Sequence, residues 1–239
     1  MKKTIVVLAN SKKPGGRCLA GKELVRKNNA WEVGPWIRPV TTEKSGAVSA
    51  YQMSIALGHI PKLLEIVEIP LTKEVPMPEQ PENWLLETPI LLKSWQSLGF
   101  FEWKDIKRLL DNPATIWNDQ SGPRRVKAGY PQKMDKPASL YLIKPESIQS
   151  IRIWRESNQF GEKKRRRVII RYAKESHEFD IDDIDFAEKH YPKFPRLGDA
   201  AVTPKLQNPA ETIICVSLAL EHVDHYHYKI AAAFFEPPP

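Results

Sequence analysis

Between residues 139 and 235 the chain sets out short strand-like apolar runs in an order that few small folds can accept. Ser139-Leu140-Tyr141-Leu142-Ile143 is an apolar run. After Lys144-Pro145-Glu146 the pattern resumes over 148–155, where Ile151 and Ile153 alternate with the polar Arg152. Residues 158–162 read as a turn, 165–172 as a β-branched strand with dense charge at its start, and 177–181 as a short strand. Residues 182–190 read as a helix that opens with acids suited to the positive end of a helix dipole. A proline-rich stretch at 192–209 leads to two further strands, 212–218 and 227–235. A long bent first strand, two more strands, a helix and two closing strands is the β-β-β-α-β-β order of a five-stranded OB barrel.

The first half admits a similar reading. Ile5-Val6-Val7-Leu8-Ala9 is a buried-strand signal that stops at Asn10-Ser11-Lys12-Lys13-Pro14-Gly15-Gly16-Arg17. Small polar residues and glycines can present backbone N–H groups, and the flanking cations favour an anion. The segment therefore reads either as a phosphate-contacting loop or as a solvated hairpin turn. The spacings of a Walker loop and of a dinucleotide fingerprint are both missing. Strand signals fall at 4–8, 18–25, 31–40 and 63–71, with a short helix expected over 50–57. No segment stands out as the fifth strand. The expected organisation is an N-terminal OB-like barrel over 1–75, a partly helical Pro/Trp-rich connecting segment over 76–137, and a C-terminal OB-like barrel over 138–239. The fold class is mainly β with some α.

Composition narrows the partners. Lys and Arg total 36 against 29 acids, a formal charge of +7 that suits a polyanion without requiring one. Cys18 and Cys215 are too few for a structural zinc site and sit in apolar contexts, so free thiols in a reducing cytoplasm are expected. Met1-Lys2-Lys3 precedes an apolar run too short for a signal peptide, and no run approaches the length of a membrane span.

The densest positive cluster is Lys163, Lys164, Arg165, Arg166 and Arg167, with Arg171 and Tyr172 further along the same strand. In an OB barrel this region borders the ligand groove. Cations there can neutralise phosphates, while Tyr172, Trp154 and Phe160 can stack on bases. The alternative is a solvated charge run that guards a hairpin edge. Trp36 and Arg38 are two apart on a strand and share a face, on which a base could stack while Arg38 holds a phosphate; Arg17 and Lys22 flank that face, with Lys12 and Lys13 in the adjoining loop. The alternative packs Trp36 in the core and pairs Arg38 with an acid. His222, His225 and His227 have a spacing that could serve a metal, but a polar turn explains them. Asp180, Asp182, Asp183 and Asp185 could hold magnesium, but a helix start explains them. Neither a metal nor another cofactor is expected, and no nucleophile–base pair can be assigned. Trp84, Trp95, Trp103 and Trp117 are expected to fix the middle segment to the barrels.

The chain resembles the bacterial dual OB-containing domain family. The matching residues are Val6-Val7-Leu8-Ala9-Asn10-Ser11, Gly16-Arg17-Cys18-Leu19-Ala20-Gly21-Lys22-Glu23, Trp36-Ile37-Arg38-Pro39-Val40, Gln80-Pro81-Glu82-Asn83-Trp84, Ser139-Leu140-Tyr141-Leu142-Ile143 and Cys215-Val216-Ser217-Leu218. The resemblance implies two OB-like barrels and a link to nucleic acid, and it brings no catalytic residues. The expected function is a non-catalytic module for nucleic acid, single-stranded DNA or RNA, serving a larger defence or repair system with a partner protein. Two alternatives are a metal-dependent nucleic-acid-processing enzyme, and a protein-interaction adaptor using 76–89 and Pro237-Pro238-Pro239.

Overall fold

The computed structural model describes the chain apart from residues 14, 29, 44, 56–57, 88–94, 160 and 239. Phe160 and Pro239, singled out above, thus lie outside the described residues, as do Pro14 of the first turn and the last two positions of the helix expected over 50–57. The chain divides into two units: Met1–Leu110 with Asp135–Ser139, and Asp111–Met134 with Leu140–Pro239. The segment read as a connector is therefore shared between them.

In the first unit, β1 (Lys2–Lys13) carries the run Ile5 to Ala9 fully buried, as its β-branched sequence dictates. It pairs antiparallel with β2 (Gly16–Lys27) on one side and β4 (Glu65–Glu74) on the other. β2 pairs with β3 (Ala30–Val40), β3 runs parallel to β5 (Asn83–Leu86), and β5 returns antiparallel to β4. The ring β1-β2-β3-β5-β4 closes on β1 with OB order, and β6 (Gln96–Phe100) adds to β4. The fifth strand missing from the sequence reading is thus Asn83–Leu86, only four residues long and preceded by Pro81. Ile5, Leu19, Ile37, Val67 and Ile69 pack inside the ring with Trp95. The helix expected over 50–57 does not form among the described residues. Ser49 closes a single turn by exchanging hydrogen bonds with Gln52. Met53 and Ile55, two apart, both enter the core, a spacing that an extended chain supplies and a helix does not.

Gly21 shows why this ring needs a residue without a side chain. A Cβ there would lie 2.0 Å from the Val6 carbonyl oxygen. The strand contacts on both sides, Val7 across β1 and Ile37 across β3, hold the backbone in that position.

In the second unit the sheet order is β8-β12-β13-β11-β10-β9. The strands are β8 (Leu140–Ile143), β9 (Ser147–Asn158), β10 (Gly161–Tyr172), β11 (Glu175–Ile181), β12 (Ile213–Leu218) and β13 (Tyr226–Phe235). The two edges, β8 and β9, are joined in the chain by residues 144–146, so together they form one bent first strand. β11 and β13 are parallel, and α1 (Ile184–His190) follows β11. This is the order the sequence predicts. β7 (Arg125–Lys127) pairs with β13, and Ile116, Trp117 and Val126 join the core around Ile153, Val168, Phe179 and Ile214. Trp95 and Trp117, both fully buried, therefore each serve the core of one unit.

Asp183 caps α1 by accepting from the Phe186 N–H at 3.0 Å, and its second oxygen accepts from the Phe234 N–H of β13 at 2.7 Å. One carboxyl thereby ties the helix start to the last strand. Burial pushes its pKa up to about 6, against the opposing pull of these hydrogen bonds. No helix among the described residues is long and apolar enough to cross a membrane.

Gly21→Ala should destabilise the protein by about 3 kcal/mol in chemical denaturation, the upper end of overpacking costs, because the obstructing atom is backbone. Asp183→Ala should cost about 1–3 kcal/mol, because it removes the cap and orphans the Phe234 N–H. A raised carboxyl pKa contributes stability below the unfolded value of 3.8 that is lost as pH rises towards about 6. The deficit of Asp183→Ala relative to the parent should therefore narrow over that interval, measured by denaturant melts at successive pH values.

Candidate nucleic-acid interface

The β9–β10 hairpin extends beyond the sheet that supports it. β9 accompanies β10 along its whole length, but the β11 ladder ends at Arg167↔Asp180. β11 in turn meets β13 only through Asp180↔Ile230 and Ile181↔Ala231. Beyond these points the strands diverge and leave a cleft of about 530 Å3. Its one wall is Lys163 to Arg166, and its other is Tyr228, Ile230 and the chain at 219–222 from the β12–β13 connection. Five cations line it (Arg124, Lys163, Lys164, Arg165, Arg166) against two acids, Asp180 and Asp182.

Strand parity divides the cluster only in part, since residues of both parities from Lys163 to Arg166 line the cleft. Arg165 and Arg167 share a face with Trp154 and Arg152 of β9, and Arg165 also borders the cleft. Here they are engaged by acids: Arg165 bonds Glu156 at 2.8 Å, while Arg167 bonds Glu178 at 2.6 Å and Asp180 at 3.2 Å. Arg165 also holds the Glu156 carboxyl below the usual carboxylate range. Arg167 stacks over Trp154 at 5.2 Å, with Arg152 over the same ring at 5.6 Å. Arg166 turns to the other face, 3.6 Å from Asp182 and 5.9 Å from the Phe194 ring. Lys163 and Lys164 are exposed at the hairpin, with Lys164 5.3 Å from Phe194. Arg124 lies 4.9 Å over Tyr228. Arg171 and Tyr172 sit at the opposite end of β10 and do not line the cleft. Arg171 pairs with Glu146 at 3.3 Å, and the Tyr172 hydroxyl donates to the Pro113 carbonyl at 3.0 Å. The sequence reading missed Arg124, Phe194 and Tyr228, which come from three segments that only the fold assembles.

The first-unit candidates divide differently. Lys12 is exposed and stands opposite Arg17 at the end of the β1–β2 hairpin. Lys13 is half-buried, and desolvation lowers its pKa. The Arg17 side chain donates to Asn10 at 3.3 Å, while its backbone bridges to Val48. Arg38 is a correction. It is 1% exposed, inside the unit, with its guanidinium 2.8 Å from Glu82 and 2.8 Å from the Ser139 hydroxyl. The Ser139 hydroxyl donates in turn to Glu82. Lys22 is likewise buried, its ammonium 5.5 Å from the ring of the half-buried Trp36. Neither Arg38 nor Lys22 offers its charge to a surface ligand. The cause is the ring closure: Arg38 lies where β3 meets β5, which turns its side chain inward towards Glu82.

The histidines do not converge. His222 pairs with Asp224 at 3.1 Å and the exposed His225 with Glu221 at 2.7 Å, whereas buried His227 bonds the Ala219 carbonyl at 2.9 Å. Among the described residues no group of three His, Cys, Asp or Glu side chains could hold a metal. Neither Cys18 nor Cys215 forms a disulfide among the described residues.

The model of the dual OB-containing domain family matches residues 3–234. No curated protein matches. A solved structure of a murine DNA-binding protein bound with double-stranded DNA aligns over 98% of this chain and 96% of that one, at 9% identity and a TM-score of 0.31. A likeness that weak carries no argument about function.

Arg38→Ala should destabilise the protein by about 3–5 kcal/mol in denaturant melts, because it strands the Glu82 carboxylate in the interior. Arg38→Met combined with Glu82→Leu should recover most of that stability, since it removes both buried charges and keeps the volume.

Proposed function

The chain belongs to the dual OB-containing domain family, and we propose that it is a non-catalytic nucleic-acid-binding protein whose second unit takes single-stranded nucleic acid. The observation that carries this reading is the basic cleft. It lies between the hairpin joining the first two barrel strands and the connection joining the last two, the region where OB barrels bind oligonucleotides. Lys163, Lys164 and Arg124 supply phosphate contacts, and Tyr228 and Phe194 supply rings for base stacking. A cleft of about 530 Å3 is the size of a small-ligand pocket, so it admits nucleotides from a flexible strand rather than a rigid duplex. In the first unit, Lys12 and Arg17 at the β1–β2 hairpin tip are the remaining proposed phosphate contacts.

Fluorescence anisotropy against single-stranded DNA, single-stranded RNA and duplex, at several salt concentrations, tests the reading. Lys163→Gln with Lys164→Gln should weaken single-strand binding irrespective of sequence. It should also flatten the log–log salt slope by roughly 0.7 for each phosphate that is no longer neutralised. Arg167→Gln should change the slope little, because Glu178 and Asp180 already engage that charge. Equal slopes for the lysine variant and the parent, or magnesium-dependent cleavage of the probe, would overturn the proposal.

A further inference from the structure

Lys229 lies on the inward side of β13, 1% exposed, and its ammonium forms no ion pair with a carboxylate among the described residues. Its hydrogen-bond partners are both neutral: the Ile116 carbonyl at 3.3 Å and Nδ1 of His177 at 3.2 Å. A charged ammonium has only donors, so Nδ1 accepts and the ring proton of His177 sits on Nε2. That Nε2 belongs to a side chain 2% exposed and makes no hydrogen bond of ordinary geometry to the described residues, although the Tyr172 backbone acts on the ring. The acid beside it, Glu175, stays 3.7 Å away, held by Thr115 and Asn118. Both residues border a second opening, about 360 Å3, formed with Ser176 of β11 and the loop carrying Gln120 and Pro123.

We propose that this opening is a binding site for a small ligand bearing an oxyanion, phosphate or carboxylate, with Lys229 and the Nε2–H of His177 as its donors. The physical basis is unmet demand at hydrogen-bond distance, since Glu175 and Asp119 act on the ammonium only from further away. An ammonium taken from water needs a counter-charge, and a buried N–H needs an acceptor. An oxyanion supplies both from the solvent side. Its negative charge meets the ammonium's third donor and its second oxygen meets the imidazole, a charge-assisted pair of bonds. Burial has the matching effect on titration. It lowers the Lys229 pKa to about 8 and, with the Lys229 charge adding to it, that of His177 to about 4. The imidazole is therefore neutral near pH 7, where the lysine remains mostly charged. The site is separate from the basic cleft, whose lining residues it does not share.

The test is calorimetric melting of the whole chain in inorganic phosphate, with acetate and chloride as separate arms at matched ionic strength. Phosphate or acetate should raise Tm by a few degrees over chloride, because a ligand that binds the folded state alone stabilises it. A response to both ions marks the carboxylate class, and a response to phosphate alone marks the phosphate class; either supports the site. The rise should shrink in Lys229→Met, and the part that depends on Lys229 should be the same size in the Lys163→Gln with Lys164→Gln background. Where Lys229→Met fails to fold, the unsubstituted chain still answers through its ¹⁵N-histidine spectrum, in which the His177 Nε2 resonance should move on addition of the ion. A rise undiminished in Lys229→Met, a Lys229-dependent part that is lost in the cleft background, or a His177 signal that does not move would each overturn the proposal.

Discussion

Each unit depends on one parallel pairing that closes an otherwise antiparallel ring. In the first unit β3 meets β5 over Arg38 to Val40, and in the second β11 meets β13 over Asp180 and Ile181. Without that contact neither sheet encloses a core, and both would expose long edges. The two units secure it differently. In the first, Arg38 joins the start of β5 twice, by its backbone N–H to the Glu82 carbonyl at 2.9 Å and by its guanidinium to the Glu82 carboxylate. In the second, the parallel contact is shorter, and Asp183 beside it fastens α1 to β13.

The shortness of that second contact creates the cleft. Because β11 and β13 touch at only two positions, the ends of β10 and β13 diverge, and the surface between them stays open. The hairpin that borders it is strongly basic, which discourages pairing with another chain and supplies phosphate contacts. A charge run that guards an edge and one that binds a polyanion are thus the same residues in two roles. The acids decide how the charge is shared. Glu156, Glu178 and Asp180 engage Arg165 and Arg167, while the exposed lysines at the hairpin add positive charge at the cleft mouth.

The buried cations show a contrast. Arg38 has a carboxylate at ion-pair distance, so its burial is balanced within the protein. Among the described residues Lys229 hydrogen-bonds neutral groups alone, and Glu175 and Asp119 offset its charge only from beyond ion-pair distance. Lys229 reads in the sequence as one more residue of a strand, whereas Arg38 reads there either as a phosphate contact or as the partner of an acid, and the fold decides for the acid.

Much of the second barrel is legible from the chain alone. Apolar alternation and β-branched runs define strands locally, and the helix at 184–190 announces itself through the acid at its cap. Residues Ile5 to Ala9 are legible for the same reason, since a run buried on both faces needs no partner to be recognised. The first unit's fifth strand is not legible, because Asn83–Leu86 is short and polar at its start and becomes a strand only by lying between β3 and β4. The basic cluster can be read as a cluster, but only strand pairing decides which acids its cations meet and that Arg165 and Arg166 both meet an acid and border the cleft. Period-two alternation tells which residues share a face; whether that face looks into a ring or out of it is fixed only when the strands close.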